Sequence, residues 1–142
     1  IRTILNELGE MNFWRINLRP GKPLTFGTIQ GIPFFGLPGN PVSTFMCFHR
    51  YFVPWLEQSL ALHKKPTQWA TISENLKFEP ALTYFPTVLA QTNEEGQFLA
   101  KPVEGDGSGD FANLLRCNGF LELPDDRSHF RQGEVFPYIP FA

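Results

Sequence analysis

Arg19-Pro20-Gly21-Lys22-Pro23, two apolar runs, then Gly36-Leu37-Pro38-Gly39-Asn40-Pro41-Val42-Ser43: the reading of this stretch decides the fold around it. Residues 33–37 are apolar and Pro38-Gly39 is turn chemistry, so the pattern predicts a strand that turns sharply into a helix. Asn40 suits the N-cap, where its side chain accepts a backbone hydrogen bond from the first turn. Pro41 suits the first helical position, where it has no donor to lose. Such a helix start presents unpaired N–H groups and the positive end of the helix dipole, the makings of an anion site. Gly36 and Gly39 would let a ligand approach the backbone, and Arg19 and Lys22 would add a fork-shaped donor and a point charge. The same residues also read as an efficient strand-to-helix turn flanked by solvated loop charges, and local chemistry leaves both readings open.

Upstream, Ile1, Ile4, Leu5 and Leu8 follow the spacing of one helical face with no cap before it, so the chain is expected to start inside an element. Gly9 is placed to end that helix as a left-handed cap. Strands are expected over 12–18, 24–29 and 32–37, the last two joined by a Gln30-Gly31 turn, as the last strands of an α/β domain. Downstream, the helix from Pro41 carries Val42, Phe45, Met46, His49, Phe52, Val53, Leu56 and Leu60 along one side and Phe48, Tyr51 and Trp55 on another. A helix apolar nearly all round predicts burial between two layers, with the aromatic face as core or domain interface. Pro54 removes a backbone donor and favours a kink near Arg50.

Around 63–66 the texture changes to short alternating runs bounded by turns, which divides the chain into 1–63 and 64–142. Strands are expected over 69–78, 83–91, 97–103, 119–123 and 134–139, with Asn93-Glu94-Glu95-Gly96 closing a hairpin. So many strands in so short a unit favour a barrel-like β-fold with few open edges. Pro80, Pro86, Pro102, Pro137 and Pro140 should fall at strand ends, bulges or edges. The run Glu104-Gly105-Asp106-Gly107-Ser108-Gly109-Asp110 leads into a short helix over 111–117. Its glycines and Ser108 suit an anion, whereas Asp106 and Asp110 suit Mg²⁺ bound through water; a plain loop with Asp110 as helix cap is the other reading.

With 142 residues, 42% of them apolar, and fifteen Phe, the chain can bury a core. Its net charge of −2 argues against the basic stripe that nucleic-acid binding needs. Cys47 and Cys117 form no Cys-x-x-Cys pair and His49, His63 and His129 are scattered, so no structural zinc is expected. No apolar run approaches the roughly 20 residues of a membrane span, and no signal peptide is visible. A soluble protein of a reducing, cytoplasmic compartment is expected.

Pro20-Gly21-Lys22-Pro23-Leu24, Phe26-Gly27 and the 36–43 block, at this separation, resemble the signature of the molybdopterin molybdenumtransferase family, the bacterial MoeA proteins and the gephyrin E domain. Gly107-Ser108-Gly109-Asp110-Phe111, Asn118-Gly119-Phe120-Leu121, Leu123-Pro124 and Gly133-Glu134-Val135 resemble that family's last domain in order and spacing. The resemblance covers essentially the whole chain and about the last third of a full-length member. It implies the end of an α/β MogA-like molybdopterin-binding domain followed by an all-β, barrel-like C-terminal domain.

The activity it implies belongs to molybdenum cofactor biosynthesis. Adenylyl-molybdopterin is hydrolysed in the presence of molybdate and Mg²⁺, molybdenum enters the dithiolene, and AMP leaves. Both substrates are anionic, and cleaving a phosphoanhydride requires charge neutralisation at oxygen. The resemblance gives Lys22 and Arg19 the catalytic contacts to phosphate or molybdate. It gives Pro38, Gly39, Asn40, Pro41, Ser43, Ser108 and Asp110 the substrate, and it puts the main metal ligands ahead of residue 1. It further implies a homodimer whose cleft combines both domains with a domain of the other subunit, a possible molybdopterin adenylyltransferase partner, and no activity for this piece alone. The chain departs from the family pattern at Arg19, where members commonly carry Lys, and at Pro86, where they often carry Arg. The alternatives are a gephyrin-like scaffold that anchors receptor tails and a non-catalytic β-barrel binding module.

Overall fold

The computed structural model describes residues 2–63, 65–103, 105 and 111–141. Helix α1 (Arg2–Leu8) runs straight into β1 (Gly9–Trp14). Gly9 has no left-handed backbone, which corrects its reading as a helix cap; it opens β1 opposite Ile29, where a Cβ would collide with the Thr28 carbonyl. β1 bulges between Met11 and Phe13 and pairs antiparallel with β3 (Thr25–Ile29), which pairs in turn with β4 (Ile32–Gly36). Gln30 and Gly31 both adopt positive φ, 52° and 78°, as a two-residue primed hairpin turn requires.

The strand expected over 12–18 does not continue. Arg15 takes a φ of 69°, the chain leaves the sheet, and the two-residue strand β2 (Leu18–Arg19) finds a partner far along the sequence. It pairs parallel with β7 (Thr83–Tyr84), and the Arg19 carbonyl accepts the Phe85 N–H at 2.8 Å.

The helix opening at Pro41 is continuous to Ser59 but changes pitch: α2 (Pro41–Cys47), a π-helical stretch (Phe48–Phe52), then α3 (Val53–Ser59). The Val53 N–H reaches back to the Phe48 carbonyl, one residue further than in an α-helix. This wider turn accommodates Pro54, which has no N–H to give and whose ring would crowd a carbonyl of the preceding turn. The kink expected near Arg50 is therefore a π-helical segment around it. The expected burial between two layers is corrected: Ser43, Met46 and Cys47 are buried, but α3 buries no residue, and Phe48, Leu56 and Leu60 are exposed.

The second half is all-β. Strands β5 (Gln68–Ile72), β8 (Thr87–Thr92), β9 (Phe98–Pro102), β10 (Gly119–Leu121) and β12 (Val135–Pro140) close a barrel in the order β10-β12-β5-β9-β8. β6 (Leu76–Lys77) and β11 (His129–Phe130) form a separate antiparallel ribbon. The strand expected over 83–91 breaks at Pro86, which has no N–H for a ladder. Alternation places Ala70, Ile72, Val88, Ala90 and Ala100 inside with Phe136 and Tyr138, small residues making room for the rings. The 93–96 turn is real: Asn93 Oδ1 accepts the N–H groups of Glu95 and Gln97.

There are two apolar clusters. One fills the barrel; the other joins Leu18, Leu24, Met46 and Cys47 to Phe85 and Phe120, so residues from both halves of the sequence share it. The chain is the end of an α/β unit followed by a β-barrel, and its second core lies between them.

Candidate functional site

The hairpin register brings the two sequence blocks together. Thr25 pairs with Gly36, so the loop entering β3 (Gly21-Lys22-Pro23) and the loop leaving β4 (Leu37-Pro38-Gly39) lie at the same end of the sheet. Gly21 fixes the first of these loops. Its φ is 113°, and a Cβ would fall 2.7 Å from Cys47 Sγ and 2.9 Å from Met46 Cε, so the turn sits directly on α2. The Ile16 N–H donates to the Lys22 carbonyl at 3.1 Å, closing the loop, and the Lys22 side chain is exposed. Burial pushes the Cys47 thiol up to about 12, which leaves it inert beneath this turn.

In the second loop, Asn40 caps α2 as its position predicts: its Oδ1 accepts the Ser43 N–H at 3.0 Å and the Ser43 hydroxyl at 3.2 Å. Ser43 is buried with both groups committed to Asn40. The Thr44 hydroxyl donates to the Pro38 carbonyl and ties the loop to the helix. Gly39 faces open space where a ligand could approach, whereas Gly36 lies against Thr25, whose Cβ would be 3.1 Å from an added methyl group.

A cleft of about 520 Å³ opens beside these loops, between the first half and the barrel, and residues 21–23 and 37–39 do not line it. Arg19, Pro20 and Val42 line it from the first half; Glu74, Lys77, Tyr84, Pro86, Thr87 and Asn113 are among the residues lining it from the second. Of the expected site residues only Arg19 is on this wall. Its guanidinium stands 5.7 Å from the centre of the Phe78 ring, which stacks on Tyr84 at 4.0 Å and 7°. Arg19 forms no ion pair among the described residues, so its charge is held over the Phe78 ring without being neutralised. The floor is a rigid triangle. Asn113 Nδ2 donates to Thr87 Oγ1 at 3.1 Å and to the Val103 carbonyl at 3.2 Å, and the Thr87 hydroxyl donates to the same carbonyl. Pro86, standing where an arginine would be expected, contributes a buried apolar wall.

The expectations for Ser108 and Asp110 fall outside the described residues, although Gly105 and Asn113 on either side of them line the cleft. Among the described residues no group of three or more His, Cys, Asp or Glu could hold a metal, and Glu74 is the one carboxylate lining the cleft. Those residues do not by themselves make a magnesium site. Phe78 and Tyr84 carry no signal in the sequence, because their role arises only when β7 pairs with β2, and Thr87 and Asn113 carry none because they meet across 26 residues.

A model of the MoeA C-terminal region (domain IV) matches residues 70–141, and one described as a probable molybdopterin binding domain matches residues 1–58. The chain is 34% identical to molybdopterin molybdenumtransferase of Haemophilus influenzae, covering 99% of this chain and 35% of that protein. It is 36% identical to the protein of the same name from Synechocystis, over 84% of this chain and 29% of the relative. Among solved structures, the molybdopterin biosynthesis MoeA protein from Pyrococcus horikoshii superposes with a TM-score of 0.79 at 30% identity, over 99% of this chain and 34% of that one. The chain thus spans about a third of the length of the relatives it matches. With its barrel matched to the family's fourth domain and its sheet and helix to a molybdopterin-binding domain, this chain belongs to the MoeA family.

Proposed function

We propose that the chain is the C-terminal part of a molybdopterin molybdenumtransferase, which inserts molybdate into adenylyl-molybdopterin and releases AMP in molybdenum cofactor biosynthesis. The observation that carries this reading is the cleft at the seam, with the unneutralised guanidinium of Arg19 on its wall and family matches on both of its sides. Oxyanion substrates need fixed positive charge and donors that do not reorganise during reaction. Arg19 meets that need, because β2–β7 pairing fixes its backbone and the Phe78–Tyr84 stack supports its side chain. Lys22, exposed at the same sheet end as the Pro38-Gly39 loop, supplies a second, mobile charge for phosphate or molybdate. Pro38 and Pro41 stiffen that loop, Asn40 and Ser43 hold the helix start, and Gly39 leaves its backbone open to substrate.

The finer assignments belong to the same proposal. Ser108 and Asp110 complete the substrate contacts. Mg²⁺ would be held mainly by residues outside this chain, where it would supply charge neutralisation at phosphate oxygen. The boundary between the two domains falls near 63/64. The working protein is a cytoplasmic homodimer that receives its substrate from a molybdopterin adenylyltransferase, and the 142-residue chain alone does not turn over.

The test is molybdate-dependent AMP release from adenylyl-molybdopterin by the full-length protein, beside its Lys22→Ala and Arg19→Ala variants. Each variant is expected to lose transition-state stabilisation of about 1.5–3 kcal/mol, the range for a charged hydrogen bond. Release by the parent that neither substitution changes would remove both residues from the mechanism; no release by the parent would remove the transferase reading.

A further inference from the structure

A second cavity, of about 420 Å³, adjoins the cleft on the barrel side and is lined by Asn75, Leu76, Lys77, His129, Phe130 and Arg131. The two cavities share Asn75, Leu76 and Lys77. The ribbon register explains the chemistry gathered here. His129 pairs directly with Lys77, which puts both side chains on one face, and Arg131, just past the end of β11, lines the same cavity. Three nitrogen-bearing side chains thus line one cavity that no carboxylate lines. Basic groups set side by side across a ribbon are costly unless something anionic lies against them; Glu79 supplies such a charge to Lys77 and His129, and Arg131 is left without one among the described residues.

The frame beneath them is fixed. The Gln132 N–H donates to Asn75 Oδ1 at 2.9 Å, pinning the segment after β11 to the β5–β6 loop, and the Arg131 N–H donates to Glu134 Oε2 at 2.7 Å within the turn before β12. Ser128 Oγ lies 2.9 Å from His129 Nδ1, leaving Nε2 as the ring nitrogen available to a ligand. Arg131 forms no ion pair among the described residues, whereas Lys77 is held by Glu79 at 2.5 Å. Glu79 lies towards the end of the ribbon away from Arg131, and competes for Lys77 without lining the cavity.

We propose that this ribbon face is an oxyanion subsite, with Arg131 as its fork-shaped donor and His129 and Lys77 beside it, for a phosphate-sized group either free or at the end of a small ester. The inference goes beyond the transferase reading and does not depend on it.

The test is calorimetric titration of the full-length protein with inorganic phosphate, and separately with AMP, at low ionic strength. Arg19→Ala and Lys22→Ala are carried throughout to weaken the neighbouring site, and only binding that Arg131→Ala removes is assigned to the ribbon. Saturable binding is expected, weakened about tenfold by adding Arg131→Ala and partly restored by Arg131→Lys. Glu79→Gln, which frees Lys77, should tighten binding. Affinity for AMP above that for phosphate would identify the end of an ester as the ligand; preference for phosphate would identify the free ion. No saturable binding of either, binding indifferent to Arg131→Ala, or weaker binding in Glu79→Gln would overturn the proposal. Thermal midpoints equal to the parent's serve as the folding control for each variant.

Discussion

His49 shows how a polar residue on an apolar face behaves when it has no polar partner among the described residues. Its ring packs against Phe45, Phe48 and Phe141 at centroid distances of 4.5, 5.4 and 6.4 Å, so the helix and the chain end share it. Burial holds its pKa below the ordinary 6.5, because desolvation disfavours the charged ring. The native state therefore keeps His49 neutral while the unfolded chain takes up the proton first. Stability is full above the ordinary value and declines as pH falls from there through the native pKa. Urea midpoints between pH 7.5 and pH 5 should fall for the parent and fall less for His49→Phe; parallel slopes would clear His49 of any part. The spacing around Pro41 already read His49 as packing, and the Asn40 cap was equally legible because both signals are local. Gly21 was not. Its contact with Cys47 spans 26 residues, and a turn that must seat on a helix so far along the chain has no signature at the turn itself.

At the scale of elements, the π-helical stretch does more than absorb Pro54. It carries Arg50, whose Nε and Nη2 donate to Glu122 Oε2 and Oε1 at 2.7 and 3.1 Å, a two-pronged pair between the helix and the residue after β10. The hydrogen bond to Glu122 is the main cause that raises the Arg50 pKa, with desolvation opposing it. Both side chains are partly exposed, 37% and 24%, so the pair is screened and its coupling modest. A double-mutant cycle of Arg50→Ala and Glu122→Ala should give about 1 kcal/mol of coupling by chemical denaturation; a value near zero would make the pair incidental. Pro54 announced a break in the regular α-helix, which takes the form of the π-helical stretch, and Asn93-Glu94-Glu95-Gly96 announced the hairpin, since proline and glycine act on the backbone where they stand. The two-residue strands β2, β6, β7 and β11 announced nothing, being too short to display a period. Asn118 was similarly opaque. Its side-chain amide takes the Ala90 N–H and gives to the Ala90 carbonyl, both at 2.7 Å, doing the work of one more strand residue beside β8.

Across the whole molecule, the two halves suggested by the change of texture near residue 63 prove to be stitched together. Phe85 and Phe120 come from the barrel half yet are buried with Leu24 and Met46, and Phe120 also meets the Phe141 ring at 5.0 Å. Phe120→Ala should cost about 3–5 kcal/mol, as a fully buried ring does, and should lower one common unfolding transition. Calorimetry showing two transitions of which only one moves would mean that the halves melt separately. The sequence displayed both apolar inventories but not their overlap, since alternation tells which face of a strand is buried and not what buries it. Arg19 illustrates the same limit from the other side: it is encoded among the first twenty residues, yet its carbonyl is bonded to Phe85 and its side chain lies over Phe78. For anyone recombining relatives of this protein, the natural cut near residue 63 is therefore misleading. A chimera that exchanges only the barrel gives Arg19 a foreign strand to pair with and a foreign ring to rest on, so the 17–24 loop and the 78–86 segment need to be inherited as one cassette.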